Sequence, residues 1–582
     1  MSARIAEELS KQTRELVSRF EQRANGFRGR DDLSRLIVPV DVARAEESAK
    51  DIFGEGEHTA TGIDGSMDFD ERLQMMLFYS NATAYSCPFT VGRHLRFDLA
   101  AAHREEKLAA SAAVPLWAED VATVFSREPE LDIELEHSMD RIPNSFMTLG
   151  ELYLALKAVE KSEVVFLDRP LSGTFSTLSR DARNLLKRGE SRLADWNGGR
   201  RVSMLDLELA VSIGSPATAV PTRRRFLPLA MIKLLTHGPM GPGELARSLG
   251  VGEADVRRSA KAIGRLDSRY GNALLADSSD SRLKLNEGVA GYWERVSALS
   301  LDYSKEVFEG EKHPLAVGGD QYLTILDVNT VALFLLWVLC EKAQKAGSLL
   351  IGIAKDTTAT DITRAVLPFA SSAGFVKLAS PPPRLKNDKA FLAILSSENP
   401  SIRTPWRTVG YDSSYSTMVE IDGKLVGARK VVSRERLFAR SFFQLRTLKS
   451  DPAVRSQVFL FDRMYDEAHD SKDVRRFEVL ERVGETTIDA YFEGDGGSDL
   501  SNLVLHILSL NDNPEVFEAY GHNQLLYLAD KAVKADVRML RSSLRGVADL
   551  RVGGVSRRRK IFGLITTYRQ QRAEAEHARM GR

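Results

Sequence analysis

The sequence predicts an α/β protein built on a mixed sheet, with a helical module inserted into it. Three observations carry that expectation. Strand-like stretches follow one another between about residues 56 and 101. A helical pattern then leads into a short apolar strand twice over, at 145–161 followed by 163–167 and at 328–346 followed by 348–354. Between 221 and 300 the texture changes to three short helices and a ribbon-like stretch. Strands followed by alternating helix and strand are the order of a domain whose sheet mixes antiparallel and parallel pairs.

Taken in order, residues 1–23 alternate charged and apolar side chains at helical spacing and lack the uninterrupted apolar region of a secretory signal, so an amphipathic helix is expected. The run HTATGIDGSM (58–67) reads as an extended stretch ending at Asp64 between glycines, and 72–87 and 93–101 read as further strands of a meander. Phe146, Leu149, Leu152 and Leu156 then recur at helical spacing, with Thr148 and Glu151 spaced as a capping box. EVVFL (163–167) is a short strand, continuously apolar after Glu163 and stopped by Asp168, with Pro170 and Gly173 breaking the chain beyond it. The second such strand, SLLIGIA (348–354), ends at Lys355 and Asp356. The apolar run 331–340 is about half of the ~20 residues a bilayer crossing needs, so it predicts a buried helix and no membrane span.

In the inserted module, 226–236, 242–249 and 253–266 read as helices, 250–252 as the turn between the second and third, and 272–285 as a ribbon. That order is a winged helix-turn-helix. Its third helix, carrying Arg257, Arg258, Lys261 and Arg265, is the element that would enter a major groove. The same module in larger enzymes also serves protein contacts, and both readings stand. The C-terminal stretch 551–582 is strongly basic and reads either as a phosphate-tracking tail or as a solvated terminus. The expected divisions are a helical segment at 1–55, a core in two parts at 56–220 and 301–550, the insertion at 221–300 and the basic tail at 551–582.

A chain of 582 residues exceeds one ordinary domain, and 43% hydrophobic with 27% charged residues is the balance of a folded protein with sizeable cores. Lys plus Arg and Asp plus Glu both total 80, so any affinity for nucleic acid has to come from local patches. The two cysteines, Cys87 and Cys340, have neither each other nor a His/Cys cluster nearby in sequence, which argues against a disulfide framework or a zinc site and for a reducing cytoplasm. Both are expected to be small buried hydrophobes, and His506, in NLVLHILSL, a satisfied core histidine.

The chemistry is expected at three acids. Asp64 stands on the first strand, Glu151 on the following helix and Asp168 at the end of the next strand, the element positions that converge on one sheet edge in ribonuclease H-like folds. Phosphodiester hydrolysis brings hydroxide against an anionic phosphate, and two divalent cations about 3.5 to 4 Å apart make that possible by clamping the attacking and leaving oxygens. A set of carboxylates without clustered Cys or His suits hard cations, Mn²⁺ or Mg²⁺. The glycines beside Asp64 are expected to let the backbone approach a substrate. Lys355 is placed to neutralise a phosphate oxygen. Each acid also has an ordinary reading: turn chemistry for Asp64, a cap for Glu151 and a strand end for Asp168.

The successive segments GIDGS (62–66), GELYLAL (150–156), FLDRPLSGTF (166–175) and GIAKDT (352–357) resemble, in order, the motifs of the NurA nucleases, which work with the hexameric translocase HerA on DNA ends. FFQLR (442–446), VFLFD (458–462) and YGHNQLLYLADKA (520–532) resemble the family's later segments, so the likeness spans about 56–536 and skips the insertion. The resemblance implies a ribonuclease H-like core, a toroidal homodimer, Mn²⁺-dependent exonuclease and single-strand endonuclease activity, and docking onto a HerA-like ATPase, in DNA repair or anti-phage defence. It carries Asp64, Glu151 and Asp168 over directly as catalytic metal ligands. The closing motif departs from the family, whose tyrosine and histidine eight residues apart align with His522 and Asp530 here. Asp530 is then expected as a further metal ligand, and His522 as a group that protonates a leaving oxygen or contacts a phosphate, titrating near neutral pH. The competing reading is a catalytically silent DNA-binding or scaffold protein that keeps the fold and recognises DNA through the winged helix.

Overall fold

The computed structural model describes residues 2–559 apart from 73–74, 104–106, 118–119, 122–123, 125–138, 190, 195, 197–201, 217–225, 268–274, 278–281, 319–320, 428–436, 449–453, 482–483, 495–496 and 513–519. Its centre is a mixed sheet of eleven strands. In chain order these are β1 (Ile37–Pro39), β2 (Gly56–Arg72), β3 (Met75–Val91), β4 (Arg96–Phe97), β5 (Leu108–Trp117), β6 (Val164–Leu167), β7 (Leu349–Ala354), β8 (Trp406–Thr408), β9 (Tyr411–Asp412), β10 (Phe438–Gln444) and β11 (Phe459–Met464). Across the sheet the order is β1-β8-β10-β11-β7-β6-β2-β3, with β4 and β5 both pairing β3 and β9 pairing β10. β2, β3 and β5 form an antiparallel meander, whereas β6 runs parallel to β2 and β7 parallel to β6.

The two parallel strands are apolar throughout because both of their faces are covered. Val165 and Leu167 of β6 point into a core shared with helices α1 (Arg141–Ala158), α2 (Leu171–Lys187) and α3 (Ile325–Ala346). Val164 and Phe166 point the other way, into a core completed by Leu503, Leu525 and Leu526 from the Asp499–Leu510 helix and from α4 (Gln524–Arg559). Period-two alternation thus assigns the four residues of β6 to two separate cores. α3 is capped by Thr324, whose hydroxyl and backbone N–H both bond the Asp327 carboxylate, and residues 331–340 are all buried, as expected of a core helix. No helix among the described residues is long and apolar enough to cross a membrane. Cys87 and Cys340 are free and buried.

Several elements differ from the expectation. β2 does not end at Asp64 but continues to Arg72, because all of its residues stay paired with β3. What ends there is the pairing with β6, whose last opposed residues are Ile63 and Leu167. α1 begins at Arg141, so Thr148 and Glu151 lie in mid-helix and form no capping box. β5 was not expected at all. Beyond the core, the N-terminal helix Ser2–Asn25 leaves Leu9, Leu16, Val17 and Phe20 exposed.

The 221–300 region contains helices Leu227–Leu235, Pro242–Leu249 and Glu253–Asp267, then an antiparallel ribbon of Leu275–Asp277 and Leu283–Leu285, with Met240 bridging Leu283. Its apolar residues Met231, Leu245, Val256 and Ile263 belong to the same core as α1 and α3. Lys233, fully buried, donates to the carbonyls of Ile213 (2.9 Å) and Ser215 (2.5 Å), closing the C-terminal end of the Met204–Ile213 helix. The module is therefore fastened to the body by packing and by a buried cation on a helix terminus. α4 runs on to Arg559, so the basic stretch begins as helix, and 560–582 lie outside the described residues.

Candidate active site

Asp64, Glu151, Asp168 and Lys355 come together where β2 and β6 part. The backbone N–H of Asp168 donates to the Ile63 carbonyl at 3.0 Å, one step past the last paired residues, so Asp168 leaves β6 directly beside Asp64. Asp64 is only 6% exposed and Glu151 1%. Gly62 and Gly65 make this possible, and for a reason other than the expected approach of a substrate. A Cβ at Gly62 would fall 2.6 Å from Cβ of Leu525, so its absence lets α4 seat against β2. A Cβ at Gly65 would fall 2.2 Å from Oε1 of Glu151, so its absence makes room for that carboxylate.

Burial, followed by the charges of Asp168 and Glu151, pushes Asp64 up to about 9, with Lys355 opposing. Burial also raises Glu151 above the ordinary carboxylate range against the pull of Arg169. Burial disfavours the Lys355 ammonium, but Asp168, Asp64 and Asp530 outweigh it and hold the group above its ordinary value. Like charges this close in a buried site cannot all ionise without a cation. Two side chains supply that charge here: Lys355 Nζ is bonded to Asp168 Oδ2, and Arg169 Nε to Glu151 Oε2, with Arg169 Nη1 donating to Thr148 Oγ1 at 2.9 Å.

The donor set is all carboxylate oxygen, the chemistry of Mg²⁺ or Mn²⁺ rather than of a softer ion. Among the described residues, however, no group of three or more His, Cys, Asp or Glu is gathered so as to hold a metal ion. Asp64 and Asp168 offer a divalent cation oxygen donors of the right chemistry. Glu151 would join them only on leaving Arg169.

Arg169 was not anticipated, since nothing in the sequence marks it beyond following Asp168. Asp462 was not anticipated as part of the site either. Fully buried on β11, it accepts from the N–H groups of Leu171 (2.7 Å) and Ser172 (2.8 Å) and from the Ser172 hydroxyl. It thereby caps α2 and pins the turn that carries Asp168 and Arg169. Gly352 of β7 lies between Leu167 and Asp462 across three strands, and a Cβ there would sit 2.5 Å from Asp462 Oδ1 and 2.6 Å from the Arg169 carbonyl. The bare glycine lets the aspartate reach across.

His522 and Asp530 stand on the far side of Lys355. His522 is 8% exposed, and burial with the Lys355 charge pulls it down to about 4 against Asp168 and Asp530. The ring is therefore neutral at physiological pH, which corrects the expectation of a titration near neutrality. Asp530, at the second turn of α4, is paired with Lys534 at 2.6 Å and faces the same side as Lys355 through its charge. His506 is buried as expected, but neither ring nitrogen has a hydrogen-bond partner among the described residues, so it is a core histidine without the expected satisfaction. In the inserted module Arg257, Arg258 and Lys261 are exposed, opposite the buried Val256, Ser259 and Ile263. Arg258 pairs with Asp255 at 2.6 Å, and the Arg265 side chain lies outside the described residues.

No family model and no curated protein matches the chain. Solved structures that it resembles include three of NurA: one with manganese (10% identity over 93% of this chain and 98% of that one, TM-score 0.35), one described simply as NurA (11%, 93% and 97%, TM-score 0.38), and the NurA nuclease from Sulfolobus solfataricus (10%, 94% and 97%, TM-score 0.36).

Proposed function

We propose that this chain is a metal-dependent DNA nuclease with a ribonuclease H-like core, acting on DNA ends as an exonuclease, a single-strand endonuclease or both. The observation that carries the reading is the Asp64 and Asp168 pair, set beside each other where β2 and β6 separate, with Asp64 buried and Glu151 and Lys355 in electrostatic range. A buried carboxylate with a raised proton affinity, as Asp64 is, is costly to maintain and is a mark of functional sites. The strand order β5-β3-β2-β6-β7, antiparallel in its first three members and parallel in its last three, supports the fold assignment.

When bound, Mn²⁺ or Mg²⁺ would polarise the phosphate and supply hydroxide at neutral pH. Asp64 and Asp168 would hold it, Asp64 losing its proton, with Glu151 and Asp530 as the further carboxylates of the site. Lys355, released from Asp168, would neutralise a phosphate oxygen. His522, being neutral, would donate to or accept from the substrate without bringing charge. Three helices with a ribbon and an exposed Arg257, Arg258 and Lys261 face support a winged helix that tracks phosphates, with Arg265 as its fourth cation. A homodimer served by a HerA-like hexameric ATPase in the cytoplasm, in repair or anti-phage defence, completes the proposal.

Cleavage of single- and double-stranded DNA in Mn²⁺, Mg²⁺ and chelator, with and without such an ATPase, tests it. Metal-dependent cleavage is the expected result. The second reading, a silent DNA-binding scaffold, is favoured by one observation, that Glu151 and Asp168 already hold internal cations. DNA binding without cleavage under every condition would select it.

A further inference from the structure

Asp168 and Lys355 reach the site on separate segments, the turn after β6 and the stretch after β7. Asp462 pins the turn. The stretch, residues 355–363, is pinned by the start of the helix Asp388–Glu398. Lys389 Nζ donates to the Lys355 carbonyl at 2.9 Å, and the Asp388 N–H donates to the Ala359 carbonyl at 2.9 Å. The buried Asp388 carboxyl accepts from the N–H groups of Ile362 (2.8 Å) and Thr363 (3.1 Å). Asp361, inside the same stretch, accepts instead from Arg440 Nη1 at 2.5 Å.

Arg440 stands between the two segments. On β10 it lies directly opposite Asp462 of β11, and one row crosses five strands as Leu167, Gly352, Asp462, Arg440 and Tyr411. Opposed residues of neighbouring strands share a face, their Cβ atoms about 4.5 to 5.5 Å apart. Arg440 is buried with its guanidinium over the Tyr411 ring at 5.6 Å, and its Nε has no hydrogen-bond partner among the described residues. Burial raises the proton affinity of Asp462, and the Ser172 hydroxyl and then the Arg440 charge oppose it. Burial likewise disfavours the guanidinium's charge, but Asp361 and the other groups around it, Asp462 among them, outweigh that cost. A buried cation with an open donor is expensive, and a well-packed apolar side chain would serve stability as well. What an apolar side chain cannot do is hold two carboxylates, one governing each segment, in fixed relation.

We propose that Arg440 is a positioning residue for the nuclease site: bonded to Asp361 and set opposite Asp462, it fixes the stretch that carries Lys355 relative to the turn that carries Asp168. The proposal rests on the nuclease reading and adds to it a residue that acts on the site only through others.

The test is a double-variant cycle on the full chain, read by calorimetric titration with Mn²⁺, by kcat, and by the Kd for single-stranded DNA in chelator. Arg440→Gln should weaken Mn²⁺ binding by about 10- to 100-fold, the usual scale for groups that orient metal ligands. It should also lower kcat, while the Kd for DNA stays within about twofold of wild type. Arg440→Lys, which keeps the charge, should recover most of the loss. Combined with Asp462→Asn, Arg440→Gln should add little, whereas independent effects would multiply. Asp361→Asn, which breaks the same link from the other side, should reproduce the fall in kcat with DNA affinity kept, and it decides the question if Arg440→Gln does not fold. A folded Arg440→Gln or Asp361→Asn protein with wild-type kcat, or losses that multiply in the double variant, overturns the positioning role and leaves the nuclease reading standing. A wild-type chain that neither binds Mn²⁺ nor cleaves DNA overturns the nuclease reading itself.

Discussion

Arg169, the residue after Asp168, bonds the buried carboxylate of Glu151 through its Nε, so two neighbours in sequence are tied into the proposed metal centre in opposite senses. Asp168 offers the site a ligand. Arg169 withholds another.

Replacing Arg169 by methionine is expected to leave Glu151 as an uncompensated buried charge. That should destabilise the metal-free protein by about 3 to 5 kcal/mol. Mn²⁺ should then restore more stability to Arg169→Met than it adds to the wild type, because the cation takes over the arginine's partner. Thermal melting of both proteins with and without Mn²⁺ measures the difference, and an equal response would place Glu151 outside the site.

Asp64 makes the metal-free protein sensitive to pH. In the folded state its carboxyl is pushed up to about 9, whereas in the unfolded chain it ionises in the ordinary carboxylate range. Between those limits the folded state holds the extra proton, so this group's contribution to stability falls as pH rises and is lost progressively up to about 9. The metal has to displace that proton, so its affinity should change the other way, rising by up to about tenfold per pH unit below the same value. Urea melts and Mn²⁺ titrations across pH 5 to 9 should show the two trends, and Asp64→Asn should flatten the first.

Gly352 should tolerate no side chain. An added methyl would meet Asp462 Oδ1 at 2.5 Å, the Arg169 carbonyl at 2.6 Å and the Leu171 N–H at 2.7 Å, so Gly352→Ala forces the turn bearing Asp168 to shift. A cost of about 1 to 3 kcal/mol is expected from the overpacking. Turnover should fall by more than substrate affinity, since the turn positions a ligand rather than the DNA. Comparison of kcat with KM for this variant and for Asp462→Asn checks it, and a loss confined to KM would deny Asp462 its positioning role.

Charge reversal at Arg257, Arg258 and Lys261 is expected to weaken DNA binding and flatten its salt dependence, each lost phosphate contact removing about 0.9 from the logarithmic slope. Turnover on saturating DNA should persist. A variant whose salt slope matches the wild type would make the inserted module a protein-contact element.

How far the sequence discloses all this depends on the range of the interactions. β6, β7 and α3 are legible because burial on both faces makes them apolar throughout, and Asp64, Glu151 and Asp168 are legible because each is set by its own element. β5 is not: its alternation runs through Ala110, Ala112, Val114 and Leu116, where small alanines give a weak strand signal, and Pro115 interrupts it. Pro115 is tolerated because β5 pairs with β3 alone. The full length of β2 is hidden because a glycine read as a turn is there to admit Glu151 from α1. Asp462 is hidden for the same kind of reason, since its role exists only through the register that sets it beside Gly352 and Leu167.

The central claim, that Asp64 and Asp168 form the catalytic metal site, is tested most directly by assaying Asp168→Ala for Mn²⁺-dependent DNA cleavage beside its thermal melt. The account predicts cleavage in the wild type and its loss in a variant that melts cooperatively and no longer gains stability from Mn²⁺. A folded Asp168→Ala protein that cleaves DNA at the wild-type rate would contradict it.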